Sequence, residues 1–148
     1  MTYSVDGNIE KAIQTCTEAR EKALAAGDIF LAAQATEGLA LAWFHQGRLR
    51  QSARCCQQVV NLAEQSVGTR QEASQLPLAA AGYVEWAGIC REWNDLDAAA
   101  RHLNTGIALC RRWDVAQTLI EGYIAESRLK QALGDIEGAF ESLRKAEQ

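Results

Sequence analysis

The chain has 148 residues, 48% of them hydrophobic, and a formal charge of −4. That length suits one domain with a sizeable core, and charges spread without blocks of one sign exclude the basic stripe a nucleic-acid surface requires. No apolar run approaches the roughly 18 residues needed to span a bilayer, and the amino terminus lacks the basic and apolar regions of a secretion signal. The expectation is a soluble, cytoplasmic protein with no membrane partner and no direct nucleic-acid contact.

Alanine, leucine, glutamate, glutamine and arginine dominate, and there is one proline. These are good helix formers, and β-branched runs are few, so an all-α fold is expected. In chain order, the apolar periodicity predicts helices over 8–26, 29–46, 49–66, 77–92, 95–112, 115–133 and 136–147. Asp28, Asp95, Asp114 and Asp135 stand where N-caps or first-turn acids favour helix starts. Segment 67–76 reads as the one extended loop, and Pro77 then fits the first turn of the next helix.

Four stretches repeat one another: Gly7 to Ile13, Gly47 to Ala53, Asn94 to Ala100 and Gly134 to Phe140. Each opens on a turn residue, and positions 7, 47, 94 and 134 lie 40, 47 and 40 residues apart. A period of about 40 in a helix-rich chain is the signature of a helical-hairpin solenoid. The fold class expected is therefore all-α, a right-handed superhelix of antiparallel hairpins with about seven helices. Such arrays usually bind and rarely catalyse.

Aligned on the turn, each copy places an aliphatic two residues on: Ile9, Leu49, Leu96 and Ile136. A small residue follows at five: Ala12, Ser52, Ala99 and Ala139. Offset nine carries Cys16, Cys56, Leu103 and Leu143, and offset twelve carries Ala19, Val59, Gly106 and Ala146. These spacings mark one face of the second helix of each hairpin. Eleven, eight and seven residues before the turn, Thr36, Leu39 and Ala40 mark the first helix, as do Tyr83, Trp86 and Ala87. In the last copy those places hold Tyr123, Glu126 and Ser127, a weaker match. Repeats fall near 1–27, 28–67, 77–113 and 114–148. The array starts on a second helix and leaves terminal faces uncovered, which suggests a piece cut from a longer solenoid, with self-association through those faces as the alternative.

The five cysteines are odd in number and contain no C-x-x-C pair. Cys16 and Cys56 share a slot that leucine fills in the other copies, and Cys90 and Cys110 fall on apolar faces, so they read as buried thiols. The only histidines, His45 and His102, form no metal-ligand pattern. His102 is expected to face outward. No nucleophile elbow or phosphate loop occurs, so no catalytic residue, metal or cofactor is expected here. Trp43 and Trp86 read as core; Trp93 and Trp113 read as plugs of inter-repeat junctions, with stacking on a ligand as the alternative.

The turn pattern resembles tetratricopeptide repeats, although the hairpins are longer than the usual 34 residues. The run Glu92 to Leu103, then Gly106 to Trp113, is similar to the sensor solenoid of large MalT-like, LuxR-type transcriptional activators. Pro77 through Gly82-Tyr83, and the repeated Gly122-Tyr123, strengthen the likeness, which covers nearly the whole chain. Such proteins carry a nucleotide-binding domain, a helical-repeat sensor and a helix-turn-helix. The resemblance implies that this segment is the sensor, recognising an inducer or protein partner and controlling oligomerisation. A generic protein-interaction scaffold unrelated to transcription is the alternative.

Hairpin solenoids line their concave face with first helices. By register that face collects Gln34, Glu37, Leu41, Phe44 and His45, then Ala81, Val84, Gly88, Arg91 and Glu92, then Glu121, Ile124, Arg128 and Gln131. The candidate ligand- or peptide-binding residues are Glu37, Phe44, His45, Arg91, Glu92, Arg128 and Gln131. Arg91 and Arg128 are the leading anchors, as bidentate donors for a carboxylate; a merely solvated inner face is the competing reading.

Overall fold

In the computed structural model, the structure describes residues 5–148, and of Val5, Asp6, Ala73 and Ser74 the backbone alone. The described residues form seven helices and no strand: α1 (Val5–Ala26), α2 (Ile29–His45), α3 (Leu49–Glu64), α4 (Glu72–Glu92), α5 (Leu96–Trp113), α6 (Ala116–Ala132) and α7 (Ile136–Glu147). Within each stretch the helices pack as hairpins, α1 with α2, α2 with α3, α5 with α6 and α6 with α7. The chain divides into two compact units, residues 1–78 and 79–148, with the boundary inside α4.

The junctions show why the helices stop where they do. Gly27, Gly47, Asn94, Asp114 and Gly134 all have positive φ, a region that glycine and, less readily, Asn and Asp tolerate. The next amide in each case reaches back five residues along the chain: Asp28 to Ala23 O, Arg48 to Trp43 O, Asp95 to Cys90 O, Val115 to Cys110 O and Asp135 to Lys130 O, at 2.9–3.0 Å. This closes orphan carbonyls at each helix end. The following helix is then started by an aspartate in three places. Asp28, Asp95 and Asp135 accept from the amides of Leu31, Ala98 and Gly138 at 3.0, 3.0 and 2.9 Å.

Three sequence expectations are corrected here. Asp114 is not an N-cap: it ends α5 in a left-handed conformation (φ 54°), and Val115 takes the N-cap position of α6 without a side-chain cap. Gly7 is not a turn, because α1 already runs through it. Pro77 lies inside α4 rather than in its first turn, and the loop is shorter than 67–76. Residues 65–71 are instead tied by short bonds, Ser66 Oγ to Ala63 O and Thr69 Oγ1 to Ser66 O, both 2.6 Å. The Glu72 carboxylate accepts from the Gly68 amide at 2.7 Å, which starts α4 early. Proline has no amide to pair at an interior helical position, so Pro77 removes one backbone hydrogen bond from α4.

The first unit is built on α2, which α1 and α3 flank. Ala32, Ala33, Thr36, Leu39 and Ala40 of α2 are buried, and Ser52, Cys56, Val59 and Val60 of α3 meet them. Small residues set the approach: a Cβ on Gly38 of α2 would stand 2.8 Å from Cys16 Sγ of α1. The second unit buries Val84, Ala87, Cys90, Ala98, Ala99, Leu103, Ile107 and Leu129 around α5. The small and large slots read from the repeats are buried in the middle copies (Ser52, Cys56, Ala99, Leu103), whereas Ala12 of α1 and Ile136 and Leu143 of α7 are exposed.

Candidate functional site

Within the second unit, Arg91 of α4 and Arg128 of α6 border one cavity of about 40 Å³. Ala87 and Gly88 of α4, Ala99 and Leu103 of α5, and Ala125 and Leu129 of α6 complete its lining. Gly88 keeps it open, since a Cβ there would meet nothing within 4 Å. Ala99 and Leu103 occupy the small and large repeat slots, so the register that packs the core also shapes this cleft. The Arg91 guanidinium donates to the neighbouring Glu92 carboxylate at 2.7 Å, and both side chains remain partly exposed. An exposed pair of this kind is worth at most about 1 kcal/mol, so Arg91 exchanges partners readily.

The other candidates are distributed differently. Gln131 faces a separate groove between α6 and α7, about 160 Å³, with Ser127, Ile136, Ala139, Phe140 and Leu143. Glu37, Phe44 and His45 belong to the first unit, where the Phe44 and His45 rings meet edge to face at 6.2 Å. Val84 drops out of the inner-face set: it is 8% exposed and packs against Gly106 and Gly122.

Two aromatic expectations also change. His102 does not face outward. It stacks on Trp86 at 4.2 Å with 14° between planes, and on Tyr83 at 5.9 Å. Burial, and secondarily the Arg101 charge, hold its pKa below the ordinary imidazole value. Trp93 plugs no junction, being 46% exposed. Trp113 is half-buried, with Arg112 over its ring at 5.3 Å. Trp43 is half-buried beneath Arg48 at 5.5 Å.

Cys55, Cys56, Cys90 and Cys110 are buried, and Cys16 partly so. Burial pushes the Cys90 thiol up, and it pushes Cys110 to about 11, with the Glu121 carboxylate adding to the effect. Such thiols stay protonated at neutral pH and are poor nucleophiles and poor ligands. Among the described residues, no three His, Cys, Asp or Glu side chains cluster to hold a metal ion, and no helix is long and apolar enough to cross a membrane.

Sequence reasoning missed a larger cavity, about 410 Å³, in the first unit. It lies between α1 and α3, on the second-helix side, with Thr36 of α2 at its base. Its trace in the sequence is the amide-rich spacing of Gln58, Asn61 and Gln65.

A search of the curated proteins finds no match to the chain. The model of the MalT-like TPR region matches residues 1–148. Matched over its whole length by that model, the chain belongs to the MalT-like TPR region family.

Proposed function

We propose that the chain is the non-catalytic sensor and interaction module of a LuxR-type transcriptional regulator, taking up an inducer or protein partner and thereby controlling oligomerisation. The observation that supports a specific site is the convergence of Arg91 and Arg128 on one cleft beside Gly88. Each guanidinium presents a planar fork of donors matched to a carboxylate. A space of about 40 Å³ admits an end-group rather than a whole inducer, since pockets for whole ligands run to roughly 300–1,000 Å³. The cleft is therefore read as an anchor for a carboxylate at the end of a peptide or small molecule. The reading needs no cofactor.

The anchor is tested by titrating the ¹⁵N-labelled chain with succinate and, separately, with neutral succinamide. Saturable shifts of the Arg91 and Arg128 side-chain resonances with succinate alone are expected, and they vanish in the Arg91→Ala, Arg128→Ala double variant. Equal shifts with succinamide would remove the carboxylate anchor. The regulator reading is tested separately on the reading frame around the chain. A phosphate-binding loop upstream and a helix-turn-helix downstream are expected; a frame with neither leaves a repeat scaffold unrelated to transcription.

A further inference from the structure

α7 turns an apolar stripe to solvent. Ile136, Phe140 and Leu143 are 53%, 61% and 40% exposed, and Leu133, just ahead of the helix, is 59% exposed. The three helix residues stand at i, i+4 and i+7, along one face. The face that packs in the fold is another one, where Ser142 is buried and Ala139 and Ala146 are half-buried. Between the two faces runs the groove of about 160 Å³ that Ser127 and Gln131 of α6 and Ala139 of α7 help to line.

The repeat register shows that this stripe differs from its counterparts. At offset nine from the turn, Cys56 and Leu103 are 0% and 2% exposed, against 40% for Leu143. At offset six the middle copies carry Ala53 and Ala100, both half-buried, and Ala100 packs against the core around α5. The last copy carries Phe140 there. A helix laid on α7 as α6 lies on α5 would meet a phenyl ring where α5 offers a methyl group. The stripe suits a neighbour that can take up a protruding ring.

Charge then selects that neighbour. α7 has Glu137 in its first turn and Arg144 in its last. Both are exposed, and at i and i+7 they share the flank of the stripe that faces away from α6. A second α7 laid antiparallel, crossing at Phe140, brings each Glu137 opposite the other copy's Arg144. This is the flanking-charge pattern that sets orientation in paired helices. A parallel pair would instead oppose like charges.

We propose that a second copy of this chain covers α7, in a two-fold dimer built on antiparallel α7 helices. Such an interface is self-complementary and closes at two copies. The Phe140 rings meet at its centre, each beside the groove of the other copy, and two Glu137–Arg144 pairs close the rim. Four apolar side chains a side make a small interface, below the roughly 1,200 Å² of standard complexes, so the dimer is transient, with a Kd on the order of 0.1 mM. It supplies a surface for the oligomerisation in the functional reading above, and it can fail while the succinate result stands.

Sedimentation velocity of the 148-residue chain, from about 10 µM to about 1 mM, tests the proposal. The average mass should rise from 16.2 kDa toward twice that value. Phe140→Ala, at a 61% exposed site, should weaken the dimer at least about tenfold, as loss of a central aromatic anchor does, with Tm unchanged. Glu137→Arg and Arg144→Glu, each alone, set like charges opposite one another and should weaken it about threefold to tenfold. The double variant restores opposite charges and should regain most of the association; circular dichroism checks that α7 stays helical with its end charges exchanged. A chain still monomeric at the highest concentration, association indifferent to Phe140→Ala, or a double variant no tighter than the single ones would each overturn the proposal.

Discussion

Gly106 of α5 lies directly against Val84 of α4: a Cβ on Gly106 would stand 2.9 Å from Val84 Cγ2, and 3.2 Å from the Ala80 carbonyl oxygen. The backbone oxygen gives little, so the clash is not relieved by rotating a side chain. Gly106→Ala gains about 1 kcal/mol of helix propensity but overpacks a buried seam at about 1–3 kcal/mol. The expected outcome is a net loss of about 1 kcal/mol in chemical denaturation, with an unchanged slope.

Gly88 is the matched opposite. Nothing lies within 4 Å of its Cβ position, so Gly88→Ala should stabilise by about 0.5–1 kcal/mol. The same methyl enters the arginine cleft, so succinate should bind more weakly to this more stable variant. Urea melts and the succinate titration, run on one sample, separate the two effects.

Much of the fold could be read from the register of the turn residues, because each must do two jobs at once. Gly47, Asn94 and Gly134 bend the chain in a left-handed conformation, and they also fix the phase of the helix face that follows. Glu126 is the instructive failure. By apolar register it reads as a defect in α6, yet its carboxylate accepts from buried Ser142 of α7 at 2.7 Å, and Ser142 Oγ accepts from Lys130 Nζ at 3.0 Å. Periodicity sees apolar faces and is blind to a polar seam whose partners sit 16 residues apart. The same register argument puts Arg91 and Arg128 on first helices, and both line one cavity, whereas the stacking partners of His102 lie on another helix, α4, which no register of α5 reveals. The wider cleft of the first unit was missed for the same reason: it is formed by two helices that no local pattern pairs.

That seam makes a prediction of its own. Ser142 is fully buried, and its hydroxyl stands between Lys130, Glu126 and the Gly138 carbonyl. Ser142→Ala removes the hydrogen bonds that the hydroxyl makes to Lys130 and Glu126 and leaves only their 3.7 Å ion pair, at a cost of about 1–2 kcal/mol. Ser142→Thr keeps the hydroxyl but adds a methyl at a 0% exposed site, so it should not restore full stability. Amide exchange across α6 and α7 should speed up in the alanine variant and stay unchanged in α2.

The turn at Asp114 is open to improvement. Its φ of 54° costs a residue with a Cβ about 1–2 kcal/mol, of which glycine recovers part after its own entropic cost of about 0.5–1 kcal/mol. Asp114→Gly should therefore stabilise by about 0.5–1 kcal/mol. Gly134→Ala, at φ 83° with open space around it, should destabilise by about 1–2 kcal/mol for backbone reasons alone. Tm shifts of opposite sign would check both.

His102 gives the chain a pH-dependent increment of stability. Burial and the Arg101 charge hold the ring below the ordinary value of 6.5, and the Asp95 carboxylate opposes them less strongly. A folded pKa depressed below the unfolded one means that the unfolded chain binds the proton more readily. The contribution is thus whole above about 6.5 and is lost as pH falls through that value toward the depressed folded one. His102→Phe keeps a flat ring against Trp86 but removes the titration. The difference in Tm between wild type and this variant should be constant from pH 8 to 7 and should move against the wild type as pH drops to 5. A gap that stays constant across the whole range would show that the ring keeps its ordinary affinity for protons in the folded chain.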